Sequence, residues 1–304
     1  MTRFIVTTTI NPPTKALKLY AEKPGWKLIV VGDQKTPHAE YAALNCIYLH
    51  PEEQSSKYPD LSASIGWNKI QRRNIGFVEA YRLGAEIVAT VDDDNIPYDH
   101  WGENLLLERE IEVAAYSSQA GVFDPLSVTN HSTLWHRGYP LQHLENRCEI
   151  EQHGKQKRRF LVQADLWDGD PDVDAIARIA YSPEVEFDSV EPFCSTQVSP
   201  FNSQNTFISR KALPYYMVLP FVGRMDDIWG SYILQSVFSG CVVYNSASVY
   251  QDRNPQDLVK NLDDELIGYH KTLDLLENWQ AVLPPEAMKS YEIYRSCFEP
   301  DENC

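Results

Sequence analysis

The chain has 304 residues, 43% hydrophobic and 12% aromatic, the content of an ordinary globular protein able to bury one large core or two smaller ones. With 27 Lys and Arg against 43 Asp and Glu, the formal charge is −16, so the surface as a whole repels nucleic-acid backbones and anionic membranes. Nucleic acid is therefore excluded as a partner, and a phosphate-bearing ligand must be met by a local basic cluster or a metal ion.

Cys46, Cys148, Cys194, Cys241, Cys297 and Cys304 form no CxxC pair, and "MTRFIVTTTI" lacks the long apolar core of a signal peptide. No run approaches the roughly 20 apolar residues of a membrane span. The expectation is a cytoplasmic protein with reduced thiols, with disulfides in a secreted protein as the alternative that an even cysteine count leaves.

In chain order, "RFIVTTTI" reads as a buried strand, "NPPT" as a turn and "KALKLYAEK" as a helix stopping at "PGW". "KLIVVGD" is a second buried strand and "CIYLHP" a third. "EEQSSKYPDLSASIGWN" is polar and broken by proline. "KIQRRNIGFVEAYRLGA" has helical periodicity with Gly84 as its stop, and "EIVATV" is a fourth strand. Strands alternating with helices predict a mostly parallel sheet covered on both faces, where ligands bind beyond the carboxyl ends of the strands. Thr7 to Thr9, Asp33 and the triplet Asp92, Asp93 and Asp94 all fall at such ends.

Beyond residue 100 the alternation weakens. "ENLLLEREIEVAAYSS" reads as a helix, or as a helix and then a strand, and "KQKRRFLVQADLW" joins a basic run to an apolar one. From "NPQDLVKNLDDELIGYHKTLDLLENWQAVL" onward the spacing is helical, and the last dozen residues read as a tail. No linker is evident, so residues 1–250 read as one domain with halves at 1–100 and 101–250, and 251–304 as a helical extension packed on it.

Asp92 and Asp94 lie two apart at a strand end and share a side of an extended chain, with Asp93 opposite. Such carboxylates can chelate a hard cation, Mg²⁺ or Mn²⁺, and leave positions for phosphate and water. The triplet alone fits a solvated acidic turn as well. Arg72 and Arg73 in "QRRN" offer forks suited to diphosphate oxygens, or a basic face paired with surface acids. "DLWDGDPDVDAIAR" carries Asp170, Asp172 and Asp174, with a helix starting near Asp172, whose carboxylate reads as its cap. Asp226 and Asp227 precede an apolar helical run, where a carboxylate serves as general base, as orienting group, or as an acidic helix start. No histidine shows metal spacing, and no GxSxG supports a serine hydrolase.

Together these features resemble a GT-A glycosyltransferase domain. "VTTTINPPTKAL", "GWKLIVVGDQKTP", "RRNIGFVEAYRLGAEIVATVDDDN", "RGYPL", "PDVDAI" and "PFNSQNTFI" resemble, in order, the STELLO family of glycosyltransferase-like proteins, and "MDDIWGSYILQSVF" does so more loosely. The reversibly glycosylated polypeptides, which act as UDP-arabinopyranose mutases, share an aspartate triplet, "RGYP" and "DDxW". The resemblance implies an α/β GT-A fold, a mixed, mostly parallel sheet flanked by helices. It implies Thr8 or Thr9 and Asp33 at the nucleotide base and ribose, Arg73 and Asn74 facing the diphosphate, and Asp92 and Asp94 on the metal, while Asp93, on the opposite side of the strand end, reads as contacting the ribose or capping a turn. It places the segments holding Asp170, Asp172, Asp174, Asn202 and Asn205 on the sugar and acceptor side. Arg137, in "RGYP", occupies the position linked to glycosylation in the mutases, or is a phosphate-binding or structural arginine; guanidinium is a poor nucleophile.

The expected function is a metal-dependent glycosyltransferase using Mn²⁺ or Mg²⁺, moving a sugar from a nucleotide-diphosphate donor, a UDP-sugar, to a hydroxyl acceptor in polysaccharide or glycoconjugate synthesis. Arg72 or Arg73 would assist the leaving group, and Asp226 or Asp227 would act as base if the anomeric centre inverts. The alternatives are a UDP-sugar mutase and a non-catalytic sugar-nucleotide-binding scaffold. A homo-oligomer and peripheral association with glycan-assembly proteins are among the partners this reading allows. No counterpart of the STELLO membrane anchor is evident, so Golgi residence is not expected.

Overall fold

The computed structural model describes residues 1–253 and 255–298. Its first part comprises β1 (Arg3–Thr9), α1 (Lys15–Ala21), β2 (Lys27–Gly32), β3 (Ile47–Leu49), α2 (Pro51–Lys57), α3 (Pro59–Ile65), α4 (Arg73–Arg82) and β4 (Ile87–Val91). There follow β5 (Asn95–Pro97), β6 (Glu110–Ser118), β7 (Ile150–Arg159), β8 (Val162–Gly169), α5 (Ala175–Tyr181), β9 (Phe193–Ser195) and β10 (Asn205–Ser209). The last part is α6 (Asp226–Val237), β11 (Val242–Gln251), α7 (Leu258–Val282) and α8 (Pro285–Ser296).

One sheet runs in the order β3-β2-β1-β4-β10-β8-β11-β9-β6-β7, with β5 pairing on β11. β1 to β4 are mutually parallel, β10 runs antiparallel between β4 and β8, and β8 and β11 are parallel. This mixed sheet with flanking helices and a helical C-terminal part is the architecture implied by the GT-A resemblance. Alternation along the strands builds two cores. Phe4, Val6, Ile29 and Val31 face one side with Ile75 and Phe77 of α4, whereas Ile5, Leu28 and Val30 face the other with Leu17 and Tyr20 of α1.

The topology puts many loop residues on one rim of the sheet. β1, β2 and β4 are parallel neighbours, and their carboxyl ends lead to Ile10, Asp33 and Asp92. β10 runs the other way, so the residues just before it, Asn202 to Gln204, reach the same rim. β8 and β11 end there too and deliver Asp170 to Asp174 and Asp252 to Arg253. β5 pairs with the end of β11, opposing Asn95 to Gln251 and tying the aspartate turn to that strand.

Several sequence expectations need correction. The polar stretch after β3 contains two short helices, because Pro51 and Pro59 sit at their first turns, where a missing N–H costs nothing. "ENLLLEREIEVAAYSS" holds no helix; its second half is strand β6, hydrogen-bonded to β7 and β9. The helix expected near Asp172 begins at Ala175, capped by Asp174, whose Oδ1 accepts from Ile176 N at 2.8 Å. Part of the supposed tail is ordered on the core, since Tyr294 and Phe298 are buried against Tyr81 and Leu213. The rest of it, with Cys304, lies outside the described residues. Cys46, Cys148, Cys194, Cys241 and Cys297 are free thiols. Among the described residues no helix is long and apolar enough to cross a membrane.

α4 can lie flat on β1 and β2 because position 76 has no side chain: a Cβ on Gly76 would come within 2.5 Å of Val6 Cγ1 and 2.9 Å of Val31 Cγ2. Gly76→Leu should cost at least about 1–3 kcal/mol by overpacking, read as a lower urea midpoint.

Candidate functional site

A crevice with two lobes opens along this rim. The first is lined by Thr8, Thr9, Asn11, Asp33, Asn68, Lys69, Ile70, Arg73 and the triplet. The second is lined by Ile70, Asp92, Asp94, Arg137, Asp172, Gln204, Arg224, Asp226, Asp227, Gln251, Arg253 and Gln256. Asp92 and Asp94 belong to both lobes, whereas Asp93 lines only the first and a neighbouring depression beside Pro12 to Ala16.

The three aspartates are used differently. β4 ends at Val91, so they form a turn into β5 rather than continuing the strand. Asp92 is ion-paired with Arg73. Asp93 accepts hydrogen bonds from the Thr9 hydroxyl and from Asn11 Nδ2 at 3.0 Å, while its carbonyl accepts from Thr14 at 2.5 Å, anchoring the turn to the start of α1. Asp94 has a buried Oδ1 with no hydrogen-bond partner. Burial, followed by repulsion from Asp92 and Asp93, pushes its carboxyl up to about 7. An orphaned anionic oxygen at the seam of two lobes fits a cation ligand. No cluster of three or more His, Cys, Asp or Glu suited to a metal exists among the described residues, so Asp92 and Asp94 are the acidic residues here that would hold a cation.

A buried polar chain crosses the crevice floor. Arg73 Nη1 donates to the carbonyl and hydroxyl of Ser203 at 2.6 and 2.7 Å, and the Ser203 hydroxyl donates to Asp227 Oδ2 at 3.0 Å. Asp227 Oδ1 lies 2.9 Å from Arg137 Nη2, which reaches Asp172 Oδ2 at 2.8 Å. Burial opposes charge on Asp172, but Arg137 and Arg253 outweigh it and hold this carboxyl far below the usual range. Asp226 stands apart. It accepts from Gln71 Nε2 at 3.0 Å and lies 3.7 Å from Arg137, and burial, then Asp227, pushes it up to about 8. Arg137 reaches this position because Gly138, at φ +75°, passes against Ile228 of α6 where a Cβ would clash.

Other expected residues lie elsewhere. Thr8 lines the first lobe, its hydroxyl donating to Val31 O at 2.8 Å. Asp33, also in that lobe, accepts from Gln34 N and Lys69 N. Arg72 points away from the crevice: its guanidinium binds Gln54 and Ser62 and lies 3.7 Å from the Trp67 ring centroid, so its expected diphosphate role is corrected to a structural one. Asn74 also turns inward, exchanging hydrogen bonds with the backbone of Val218 at 2.8 and 3.0 Å. Asn205, within β10, receives Trp101 Nε1 and donates to Leu166 O and Ser248. Asp170 is bound by Arg178, Asp174 caps α5, and Asn202 supports Asp172 from behind at 3.2 Å. Of the five residues expected on the sugar and acceptor side, Asp172 is the one that lines a lobe.

Sequence reading missed Lys69, Ser203, Gln204, Arg224, Gln251 and Arg253. The strand-end rule that singled out the triplet would have found Gln251 and Arg253 had "CVVYNSASVY" been read as a strand. Ser203 and Gln204 carried no such signal, because they precede an antiparallel strand.

The mixed sheet and its rim crevice define an α/β domain with a polar ligand site, and the chain is similar to the STELLO family of glycosyltransferase-like proteins. It is 24% identical over 307 residues to the probable glycosyltransferase STELLO2 of Arabidopsis thaliana, covering 92% of this chain, and 23% identical over 279 residues to STELLO1 of the same plant, covering 83%. The chain spans 40% and 36% of the length of these curated relatives. No family model matches. Among solved structures, glucosyl-3-phosphoglycerate synthase from Mycobacterium tuberculosis with phosphoglyceric acid aligns at a TM-score of 0.48 and 13% identity over 93% of this chain and 81% of that one. The same enzyme with Mn²⁺, UDP-glucose and phosphoglyceric acid aligns at 0.47 and 13%, again over 93% and 81%.

The neighbouring arginines should separate on mutation. Arg72→Met leaves Gln54 and Ser62 without their donor and should cost about 1–3 kcal/mol in urea unfolding while sparing nucleoside-diphosphate binding by calorimetry. Arg73→Met should weaken both.

Asp174 supplies a pH test. Burial, then Glu265, pushes its carboxyl up to about 7 although Ile176 N and Tyr269 bind it. The folded state therefore holds a proton that the unfolded chain, with a carboxyl near 3.9, releases, and this group's contribution to stability falls as pH rises from about 4 to 7. Asp174→Asn keeps a capping oxygen and removes the charge. It should flatten that part of the stability profile and raise stability at pH 8 by roughly 1–4 kcal/mol, measured by urea midpoints across pH.

Proposed function

We propose that this domain is a metal-dependent glycosyltransferase that moves a sugar from a nucleotide-diphosphate donor, a UDP-sugar, to a hydroxyl acceptor in polysaccharide or glycoconjugate synthesis. One observation carries the reading: Asp92 and Asp94 form the shared wall of two polar lobes, and Asp94 presents a buried oxygen with no donor from the chain. The names of the STELLO relatives agree with it. Residues 1–250 would form the catalytic part and 251–304 a helical extension.

In this reading the first lobe takes the nucleotide, with Thr8, Thr9 and Asp33 towards base and ribose and Lys69 and Arg73 towards the diphosphate. Asp92 and Asp94 would hold Mn²⁺ or Mg²⁺, which neutralises charge developing on the leaving diphosphate. The second lobe takes the transferred sugar and the acceptor. Asp227, fixed by Ser203 and Arg137, orients groups there, while Asp226, whose carboxyl burial pushes up, suits proton abstraction from an acceptor hydroxyl. Arg137 is spent on Asp172, Asp227 and the Arg224 carbonyl, and despite burial these acids raise its guanidinium well above its ordinary value. That favours a positioning role over a nucleophile, and so favours transfer over the mutase reaction.

A thermal-shift series with nucleotide sugars should show a UDP-sugar raising the melting temperature by a few degrees only with Mn²⁺ present. Asp94→Ala should abolish the metal-dependent rise while the unliganded melting point stays close to the parent. An undiminished rise in Asp94→Ala would sink the metal assignment, and ring-contracted product from a UDP-sugar without acceptor would restore the mutase.

A further inference from the structure

We propose that Arg253, with Gln204 and Gln251, forms a subsite in the second lobe for a sugar that carries an anionic oxygen group, a carboxylate or phosphate. The inference rests on that lobe being where a donor or acceptor sugar lies.

β11 carries Arg253 to the crevice rim. Gln251 pairs with Asn95, and Asp252 N donates to Asp94 O at 3.1 Å, which sets residue 253 beside the aspartate turn. The Arg253 side chain is only 5% exposed, yet Nε and Nη2 have no hydrogen-bond partner among the described residues. Asp172, 3.6 Å from Nη2, and Asp170, 3.8 Å from Nε, form ion pairs with it but lie beyond hydrogen-bond distance, and both are hydrogen-bonded elsewhere, Asp172 by Arg137 and Asn202, Asp170 by Arg178. The other guanidinium groups of the lobe are engaged. Arg137 is bound as described, and Arg224 donates to Glu265 at 2.8 Å and to Asn261 at 3.3 Å.

Nε and Nη2 form the side edge of the guanidinium fork, the edge that grips two oxygens of one carboxylate or phosphate. A buried charge whose two donors have long ion pairs but no hydrogen bond is costly, and an anionic ligand hydrogen-bonded at that edge would lower the cost. Burial pushes the group below its ordinary pKa, Arg178 and Arg224 adding to the effect while Asp172 and Asp170 oppose it. Gln204 and Gln251 each bury an unpartnered Oε1 in the same lobe. Ring hydroxyls both donate and accept, so they suit these amides whichever way each amide is turned. A neutral hexose would satisfy the glutamines and leave Arg253 unmet; an acidic sugar satisfies all three.

Two calorimetric arms on the full chain with Mn²⁺ test this. The donor arm compares UDP, UDP-glucose and UDP-glucuronate. The acceptor arm compares glucose, glucuronate and glucose 6-phosphate, with and without UDP. In at least one arm the acidic member should bind about tenfold or more tightly than its neutral parent, and Arg253→Gln should bring that ratio close to one, with Arg253→Lys between. Equal affinity for acidic and neutral sugars in both arms overturns the subsite, as does an acid preference that survives Arg253→Gln. If neither variant folds, the ratio in the parent protein decides. UDP binding without acid preference rejects this inference alone; acid preference without UDP binding rejects the transferase reading alone.

Discussion

The site depends on a buried relay of charge running Asp92, Arg73, Ser203, Asp227, Arg137, Asp172. Each member comes from a different stretch of chain, and each is tolerable in the interior only because the next one answers it. Removing one partner from such a buried pair typically costs about 3–5 kcal/mol. The relay therefore welds the β4 turn, the residues before β10, the start of α6 and the loop after β8 into one rigid floor. Asp94, Gln204, Gln251 and Arg253 border this floor with buried polar atoms that have no hydrogen-bond partner, which leaves them capacity for a ligand.

Sheet topology makes the relay possible. Parallel strands send their carboxyl ends to one rim, and the antiparallel β10 sends its amino end to the same place. Side chains far apart in sequence thus meet without long loops. Pairing of β5 with β11 adds the last connection, bringing the chain after Gln251 against the aspartate turn. Close approach of backbone elements completes the arrangement at Gly76, under α4, and at Gly138, beside α6.

The strands of the first ninety residues were legible because they alternate with helices in strong apolar runs, and β1, β2 and β4 stand where periodicity placed them. Legibility fell where one physical signal had two solutions. The leucines of "ENLLLEREI" fit a helix face as well as a packed loop entering a strand, and pairing of β6 with β7 and β9 decided between them. At the site, residue type was a good guide and direction was not. Arg72 and Arg73 are adjacent and chemically identical, yet one guanidinium lies under Trp67 and the other lines the crevice. Asp172 and Asp174 show the same division, one in the second lobe and one capping a short helix.

The sequence alone indicated an acidic α/β chain that resembles the STELLO family, with carboxylates at the end of a buried strand and a second acidic pair at a helix start. These follow from local pattern, which hydrophobic periodicity and strand-end chemistry encode. Only the tertiary structure decided that Asp93 anchors a turn while Asp94 keeps an unmet oxygen, that Asn74 and Asn205 serve the core, and that Gln204, Gln251 and Arg253 face the crevice. Whether a polar group is satisfied depends on partners distant in sequence, and no local pattern carries that information.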